Sequence, residues 1–399
     1  MTEIWLLELA KGIGRIFLHP LLYFSMILAV IAGVLRVKRE RGDFNVRVHS
    51  FLYELKNLFP AGIVAGLILS IISVSIGLTI PLIFIAAIAV ISIILGSIGN
   101  ARLLSPALIV GLALLVAFTA NYFELRMPYF ENTIESNYFI GVAILLGILI
   151  LTEGILMLKN GLKDISPKLR TSSRGLTVGA LQTKRLWMLP IFVFLPAGPL
   201  TVPFDWWPVI DWGTKSYSLM LVPFIIGFQQ QIQSSLPEKA VTRLARQTIG
   251  LGVIVIFLSG LSFLDFPFSE FLPAAVGLIA ILGRLWISYR HRVREGNTLY
   301  YFTPQNNGIM ILDVLPGSPA DKMGLKTGEI IQICNNINVR NKQDLFESLL
   351  KNRAYCKLEV LDTNGEKRFV QRALYEGDHH ELGILFVEKR MKHGADRAV

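Results

Sequence analysis

The chain has 399 residues, of which 53% are hydrophobic and 17% charged, and its formal net charge is +10. Soluble domains contain roughly 25% charged residues, so this composition, with a mean hydropathy of +0.53, excludes a wholly soluble protein. Only two cysteines are present, which excludes a disulfide scaffold. The basic residues are not interleaved with aromatic residues on a soluble module, which excludes nucleic-acid binding.

Residues 1–18 are predicted to form an amphipathic helix that lies on the membrane. The apolar residues near one helical face are Trp5, Leu6, Leu9, Ile13 and Ile16. The charged residues on the other face are Glu8, Lys11 and Arg15. His19 and Pro20 break this helix before the first long apolar stretch. No signal peptide is expected, since no basic leader precedes an apolar core.

Residues 16–289 are predicted to form a multi-span membrane domain, because apolar stretches of about 20 residues recur there. They are placed at about 16–35, 61–79, 82–99, 103–121, 138–158, 186–204, 217–233, 248–264 and 271–289. The predicted count is about eight or nine spans, or fewer if the short stretches fail. Small residues recur at roughly helical spacing in one stretch, which predicts close packing within the chain or between copies. They are Gly62, Gly66, Ser70, Ser73 and Gly77.

The loops between these stretches alternate in charge, and this alternation predicts the orientation of the chain. Loop 36–60 carries six basic residues and loop 159–185 carries seven, whereas loops 122–137, 205–215 and 265–270 are predominantly acidic. Because basic loops stay on the cytoplasmic side, the chain after the last stretch is expected in the cytoplasm. The basic loops are also expected to contact anionic lipid headgroups.

The last quarter of the chain holds the most specific pattern. A Pro-Gly-Ser-Pro-Ala turn is followed by one helical turn closed by Gly-Leu, and then by Gly-acid-Ile-Ile at the start of a strand. The positions are Pro316, Gly317, Ser318, Pro319, Ala320, Gly324, Leu325, Gly328, Glu329 and Ile330. This order resembles a PDZ domain. The resemblance implies an α+β domain over residues 298–388 that binds peptides, followed by a tail at 389–399.

PDZ domains add a peptide as an extra strand at a sheet edge, beside a helix. A helix is predicted at 341–351, and Asn364-Gly365 predicts a hairpin between two strands. The predicted peptide contacts are Gln343, Phe346, Glu347, Leu350, Leu382, Gly383 and Ile384. The segment 381–386 is the closest in type to a PDZ carboxylate-binding loop. Its place near the C-terminus indicates either a permuted strand order or a groove for internal peptides.

No catalytic residue, metal site or cofactor is predicted. The zinc-protease pattern His-Glu-x-x-His lacks its second histidine at His379-His380-Glu381. Cys334 and Cys356 have no CxxC partner and are expected to be reduced and structural. The protein is therefore predicted to be no enzyme.

Two other functions stay open on the residues alone: a transporter with a regulatory PDZ-like domain, and a membrane protein that assists a protease. Glu153 is the best candidate for a transport residue, because ionisable side chains inside a membrane mark transport pathways. Pairing of Glu153 with Lys159, or snorkelling, is the competing interpretation. Arg284 lies near a predicted span end, from which it can also snorkel outward.

The whole-chain pattern resembles the MinJ family of division-topology determinants. The resemblance rests on the segments 17–23 and 36–41, the many apolar stretches and one C-terminal PDZ-like domain. It implies a non-enzymatic scaffold that links a DivIVA-type coiled-coil protein at poles and septum to the MinD-type ATPase that carries the division inhibitor MinC. It further implies concentration at the septum and poles, contact with other divisome membrane proteins and membrane lipid, and self-association.

Overall fold

A computed structural model of the chain describes residues 2–125, 134–163, 165–172, 175–201, 206–209, 216–264, 267, 269–305, 307–352, 354–374 and 382–387. The predicted tail at 389–399 and the residues His379, His380 and Glu381 lie outside these ranges.

Helices dominate the chain up to residue 297. They are α1 (Thr2–Ile16), α2 (Pro20–Phe44), α3 (Tyr53–Leu58), α4 (Pro60–Ile76), α5 (Leu82–Ser97), α6 (Pro106–Tyr122), α7 (Ser136–Asn160), α8 (Pro237–Leu261) and α9 (Leu272–Asn297). Among the described residues, five helical segments are long and apolar enough to cross a membrane: Pro20–Phe44, Tyr53–Ile76, Ser136–Asn160, Pro237–Leu261 and Ser269–Asn297. The apolar helices α5 and α6 are shorter. These helices make the chain a membrane protein.

The predicted membrane helices at 186–204 and 217–233 are wrong, because residues 186–201 and 217–232 lie in strands. Strand β2 (Thr177–Thr201) pairs antiparallel with β3 (Ser216–Ile232), and β1 (Ser166–Thr171) extends the base of this hairpin. A continuous apolar run does not distinguish a buried strand from a buried helix. Pro190 and Pro196 in β2, and Pro223 in β3, disfavour a helix, since an internal proline removes a hydrogen bond and clashes with the preceding turn.

Small residues of α4 pack on the free edge of β2. The Cα atoms of Gly62 and Gly66 lie against the carbonyl groups of Met188 and Pro190. A methyl group added at Gly66 would lie 2.5 Å from the carbonyl oxygen of Pro190, and one added at Gly62 would overlap that of Met188. The small-residue stripe therefore packs within the chain: Gly62 and Gly66 lie against a strand and not against a helix, and Gly77 lies against Pro208.

The spacing of this contact follows from backbone geometry. Four residues of a helix rise about 6 Å, and two residues of a strand rise about 6.6 Å, so the two repeats stay nearly in step. Ser70 continues the row and accepts a hydrogen bond from the amide of Phe192 at 2.9 Å. Pro190 has no N–H to satisfy, and the amide of Phe194 donates to Leu78. At positions 190, 192 and 194 the hairpin edge thus meets the requirement that backbone donors in an apolar environment be satisfied.

Helix α1 packs against β3 through the face that contains Glu8, Gly12 and Ile16. Glu8 is buried and pairs with Lys11 at 2.9 Å. Arg15 donates a hydrogen bond to the carbonyl oxygen of Leu219 at 2.8 Å. The apolar side chains on the opposite face, such as Leu6, are exposed. The Glu8 charge is thus paired within the protein, and Leu6, Leu9 and Ile13 are turned outward, as suits a helix in contact with lipid. Trp5 and Ile16, which were predicted on the same apolar face, instead pack within the protein, Trp5 against Phe194 and Trp207.

Residues 298–387 form a separate sheet-rich unit, the C-terminal domain. Its elements are β4 (Ile309–Val314), α10 (Pro319–Lys322), β5 (Ile330–Cys334), β6 (Ile337–Asn338), α11 (Lys342–Lys351), β7 (Tyr355–Leu361), β8 (Lys367–Ala373) and β9 (Ile384–Phe386). The main strand order is β8-β7-β5-β4-β9, and β6 pairs with β5. A separate hydrophobic core beneath this sheet includes Ile311, Leu358 and Val360.

The C-terminal domain rests on the base of the long hairpin. The amide of Gly179 donates to the carbonyl oxygen of Phe302 at 2.9 Å, and the amide of Tyr301 donates to that of Gln233 at 2.8 Å. The Phe302 side chain is fully buried in a cluster that also contains Leu312. Backbone hydrogen bonds and apolar packing together fix the domain against the membrane part of the chain.

Candidate peptide-binding groove

The Pro-Gly-Ser-Pro-Ala pattern folds into a turn and the short helix α10. Ser318 caps this helix, and its hydroxyl oxygen accepts a hydrogen bond from the amide of Asp321 at 3.2 Å. Gly324 ends the unit with φ of +70°, a conformation that glycine adopts without strain. The other predicted motif positions in and around this unit are Pro316, Gly317, Pro319, Ala320, Leu325, Gly328 and Ile330.

The acidic residue of the motif holds the following loop in place. The Glu329 carboxylate is buried and accepts a hydrogen bond from the amide of Lys326 at 2.9 Å. Arg368 on β8 donates to both oxygens of this carboxylate, at 2.7 and 2.8 Å, and to the carbonyl of Gly324. Glu329 therefore connects the loop after α10 to β8, which lies at the opposite end of the sheet from β9.

Strand β9 lies at one end of the sheet and pairs with β4 alone among the described strands. The amide of Leu315 donates to the carbonyl of Gly383 at 2.8 Å. Ile384 is the next residue and lies opposite Val314. Because facing pairs alternate along an antiparallel ladder, the N–H and C=O of Ile384 point away from β4, toward the open edge.

The loop before β9 adds a second outward amide. The carbonyl of Leu382 accepts a hydrogen bond from the amide of Ala320 at 3.0 Å. In a trans peptide the N–H points opposite to the C=O, so the N–H of Gly383 is directed away from Ala320. Gly383 has φ of +79°. Successive amides that point the same way at such a turn form a concavity suited to an anion, such as a peptide carboxylate.

Helix α11 faces this edge across a cavity of about 80 Å³. The structure brings four of the predicted contacts together around the cavity: Phe346, Leu382, Gly383 and Ile384. Gln343, Glu347 and Leu350 share the helix but do not line the cavity. We call the space between β9 and α11 the groove.

The groove has a wall that the sequence did not indicate. Phe44 and Val46, from the end of α2 and the residues after it, line the cavity together with Leu315 and Leu349 of the C-terminal domain. About 300 positions separate the two sets of residues in the chain, and no local pattern links them. A ligand in the groove would therefore contact the membrane part of the protein as well.

The two residues weighed for transport, Glu153 and Arg284, form an ion pair with each other. Arg284 donates to Glu153 at 2.6 Å, and both side chains are almost fully buried. Ser105 donates to the second carboxylate oxygen at 2.6 Å and accepts from the guanidinium of Arg284 at 3.1 Å. The expected pairing of Glu153 with Lys159, and the expected snorkelling of either side chain, are therefore wrong. The polar atoms are satisfied by one another, which is the arrangement of a structural pair.

Cys334 and Cys356 are buried free thiols on the neighbouring strands β5 and β7. A hydrogen bond with Cys334, and burial, raise the pKa of the Cys356 thiol above its usual range. Within the described part of the chain, no group of three or more histidine, cysteine, aspartate or glutamate side chains is placed to hold a metal ion.

Known proteins identify the family. Over 390 residues, 97% of each chain, the sequence is 39% identical to the cell division topological determinant MinJ of Bacillus subtilis (strain 168). The chain belongs to the MinJ family. Probable cell division topological determinants MinJ of Lacticaseibacillus paracasei and Lacticaseibacillus casei (strain BD-II) are each 25% identical over 387 residues, 96% of this chain and 98% of theirs. No family model matches the chain.

Membership of the MinJ family covers the whole chain and not only one domain, since the aligned region includes both the apolar helices and the C-terminal domain. The predicted resemblance is thereby confirmed. A role in the topology of cell division follows from the family.

Proposed function

We propose that the protein is a non-enzymatic membrane adaptor whose C-terminal domain is a PDZ-type module with a permuted strand order. A partner peptide adds as a strand to the open edge of β9, beside α11. The observation that carries this proposal is the outward backbone of Ile384 at an edge that faces a side-chain-lined cavity. Main-chain hydrogen bonds would give affinity, and the pocket at Phe346 would select a side chain.

The proposed partners follow from the family. One is a DivIVA-type coiled-coil protein at poles and septum, and another is the MinD-type ATPase that carries the division inhibitor. Other divisome membrane proteins and a second copy of the chain complete the set. We place the C-terminal domain in the cytoplasm, because the basic loops 36–60 and 159–185 are typical of that side.

The membrane part would strengthen weak contacts by confinement. Partners that are held at the same membrane share a thin layer, so that the second contact of an adaptor forms at high effective concentration. The wall at Phe44 keeps the groove close to the end of α2, and therefore close to the proposed membrane surface. A groove this close to the membrane surface favours partners that are themselves bound to the membrane.

Fluorescence microscopy in growing rods tests the proposal. We expect full-length protein to concentrate at septa and poles, and to lose this pattern when the DivIVA-type protein is absent. A truncation after residue 297, the end of α9, removes the C-terminal domain and should weaken the pattern. A uniform membrane signal that neither deletion changes would overturn the division role and favour a transporter.

A further inference from the structure

A crevice opens between α4 and α7, with the strand β2 as its floor. Its volume is about 340 Å³, and β2 is the only one of the described strands that lines it. The α4 wall contains Pro60, Val64 and Ile68. Since a helix rises about 1.5 Å per residue, this wall runs for about 12 Å along α4.

The upper part of the crevice is apolar and open to the surroundings of the helices. Val64 is 61% exposed and Ile68 is 55% exposed, and Ile155 of α7 faces them across the opening. Trp187 of β2 closes the floor. In a membrane-spanning helix, exposed aliphatic side chains of this kind contact lipid acyl chains.

The other end of the crevice is cationic. Lys159 and Lys163, at and just after the end of α7, lie here with Arg185 of β2. The Arg185 side chain is 5% exposed and donates a hydrogen bond to the carbonyl oxygen of Lys163. Among the described residues that line the crevice, none is acidic. The amide side chains of Asn57 and Asn160 add neutral hydrogen-bonding groups beside the three cations.

We propose that this crevice binds one anionic phospholipid, with an acyl chain against Val64, Ile68 and Ile155 and the phosphate at the exposed ammonium groups of Lys159 and Lys163. The polarity of the crevice changes in one direction along both helices, from cationic at the helix ends to apolar further along, and a phospholipid has the same order of parts. Basic pockets between membrane helices recognise anionic headgroups in this way. The proposal does not depend on the peptide groove.

The test uses full-length protein in bilayer nanodiscs that contain equal amounts of dioleoylphosphatidylglycerol and dioleoylphosphatidylcholine. Native mass spectrometry then counts the lipids that stay bound to the protein after its release from the nanodisc. We expect one phosphatidylglycerol per chain to be retained in preference to phosphatidylcholine. The double variant Lys159→Gln/Lys163→Gln should retain this lipid about twenty-fivefold less, since each lysine near an anionic lipid contributes a factor of about five.

Matched controls separate the crevice from general charge and from misfolding. Lys38→Gln/Lys239→Gln removes two exposed lysines at the same end of the membrane helices and should leave retention unchanged. Ala65→Phe fills the crevice without changing charge and should also displace the lipid, whereas Val253→Phe, at an exposed site on α8, should not.

Three results would overturn the proposal. The first is equal retention of both lipids by the wild type. The second is unchanged retention in both crevice variants while their thermal unfolding matches that of the wild type. The third is full displacement of the bound lipid by glycerol 1-phosphate, which has the headgroup chemistry but no acyl chain. That outcome would make the basic end a site for free phosphate esters.

Discussion

Glu153 of α7 and Arg284 of α9 form an ion pair at 2.6 Å, and less than a few per cent of either side chain is exposed. The pair ties together two of the helices that are able to span a membrane. Ser105, which directly precedes α6, contacts both charged groups and brings a third helix to the same point.

Removal of one partner of this pair should be costly. We expect Glu153→Leu to destabilise the protein by about 3–5 kcal/mol, because it leaves the Arg284 guanidinium buried without a counter-charge. The double variant Glu153→Leu/Arg284→Met should recover most of the loss, because it removes both charges. Thermal unfolding in detergent measures both effects.

The same double variant separates structure from transport. A folded double variant that still localises normally in cells supports a structural role for the pair. A folded double variant that has lost function would show that the charges themselves are needed, as in a transport pathway, and would contradict the structural interpretation.

The contact of α4 with β2 leaves no room for a side chain at Gly62. We expect Gly62→Ala to destabilise the protein by about 1–3 kcal/mol, since the added methyl group overlaps the backbone of Met188 and forces the two elements apart. Gly250→Ala in α8 is the control, because nothing lies within 4 Å of the added atom. Alanine favours a helix over glycine, so this control should be neutral or slightly stabilising. Equal losses in the two variants would refute the packing.

Much of the membrane architecture can be predicted from the sequence, because an apolar stretch of spanning length forms a helix where its residues also favour helical backbone angles. This second condition is not met at 186–204 and 217–233. Both runs are as apolar as the helices, and they form strands because their prolines and their pairing with each other favour the extended chain. Hydropathy measures burial and not backbone conformation. A partner strand that follows later in the chain is invisible to it.

The groove is predictable only in part, for a similar reason. Leu382, Gly383 and Ile384 could be identified because a short glycine-containing loop before a strand is a local pattern. Phe44 could not, because its place beside the groove depends on how the C-terminal domain rests on the hairpin. Phe346 and Leu350 are both exposed and one helical turn apart, so only the position of β9 distinguishes them.

The carboxylate of Glu329 should matter more to stability than that of Glu359, a glutamate in the same sheet whose partner lysine is exposed. We expect Glu329→Gln to cost about 1–3 kcal/mol, because the Lys326 amide and Arg368 lose a charged acceptor. Glu359→Gln is the control: its partner Lys367 is 62% exposed, and such surface pairs contribute at most about 1 kcal/mol. Chemical unfolding of the full chain, followed by a probe in the C-terminal domain, measures the two losses. A larger loss for Glu359→Gln would contradict the assigned roles.

The two cysteines should react slowly with thiol reagents in the folded protein. Both are buried, and the raised pKa of Cys356 keeps its thiolate fraction low at the pH of the reaction. Alkylation by iodoacetamide at pH 8 should therefore go to completion only after unfolding. The variant Phe369→Cys supplies an exposed thiol on β8 as a positive control, because Phe369 is 68% exposed. Rapid labelling of Cys356 in the native protein would contradict its buried position.

The central claim is that the groove between β9 and α11 holds a partner protein, and photocrosslinking in living rods tests it most directly. A benzophenone amino acid placed at position 346 lines the groove, and one placed at 350 lies on the same helix outside it; the side chains that they replace, Phe346 and Leu350, are 43% and 45% exposed. We predict that light produces a crosslink from 346 to the DivIVA-type or MinD-type partner and little or none from 350. Equal crosslinking from both positions, or none from 346 in protein that is still membrane-inserted and folded, would contradict the claim.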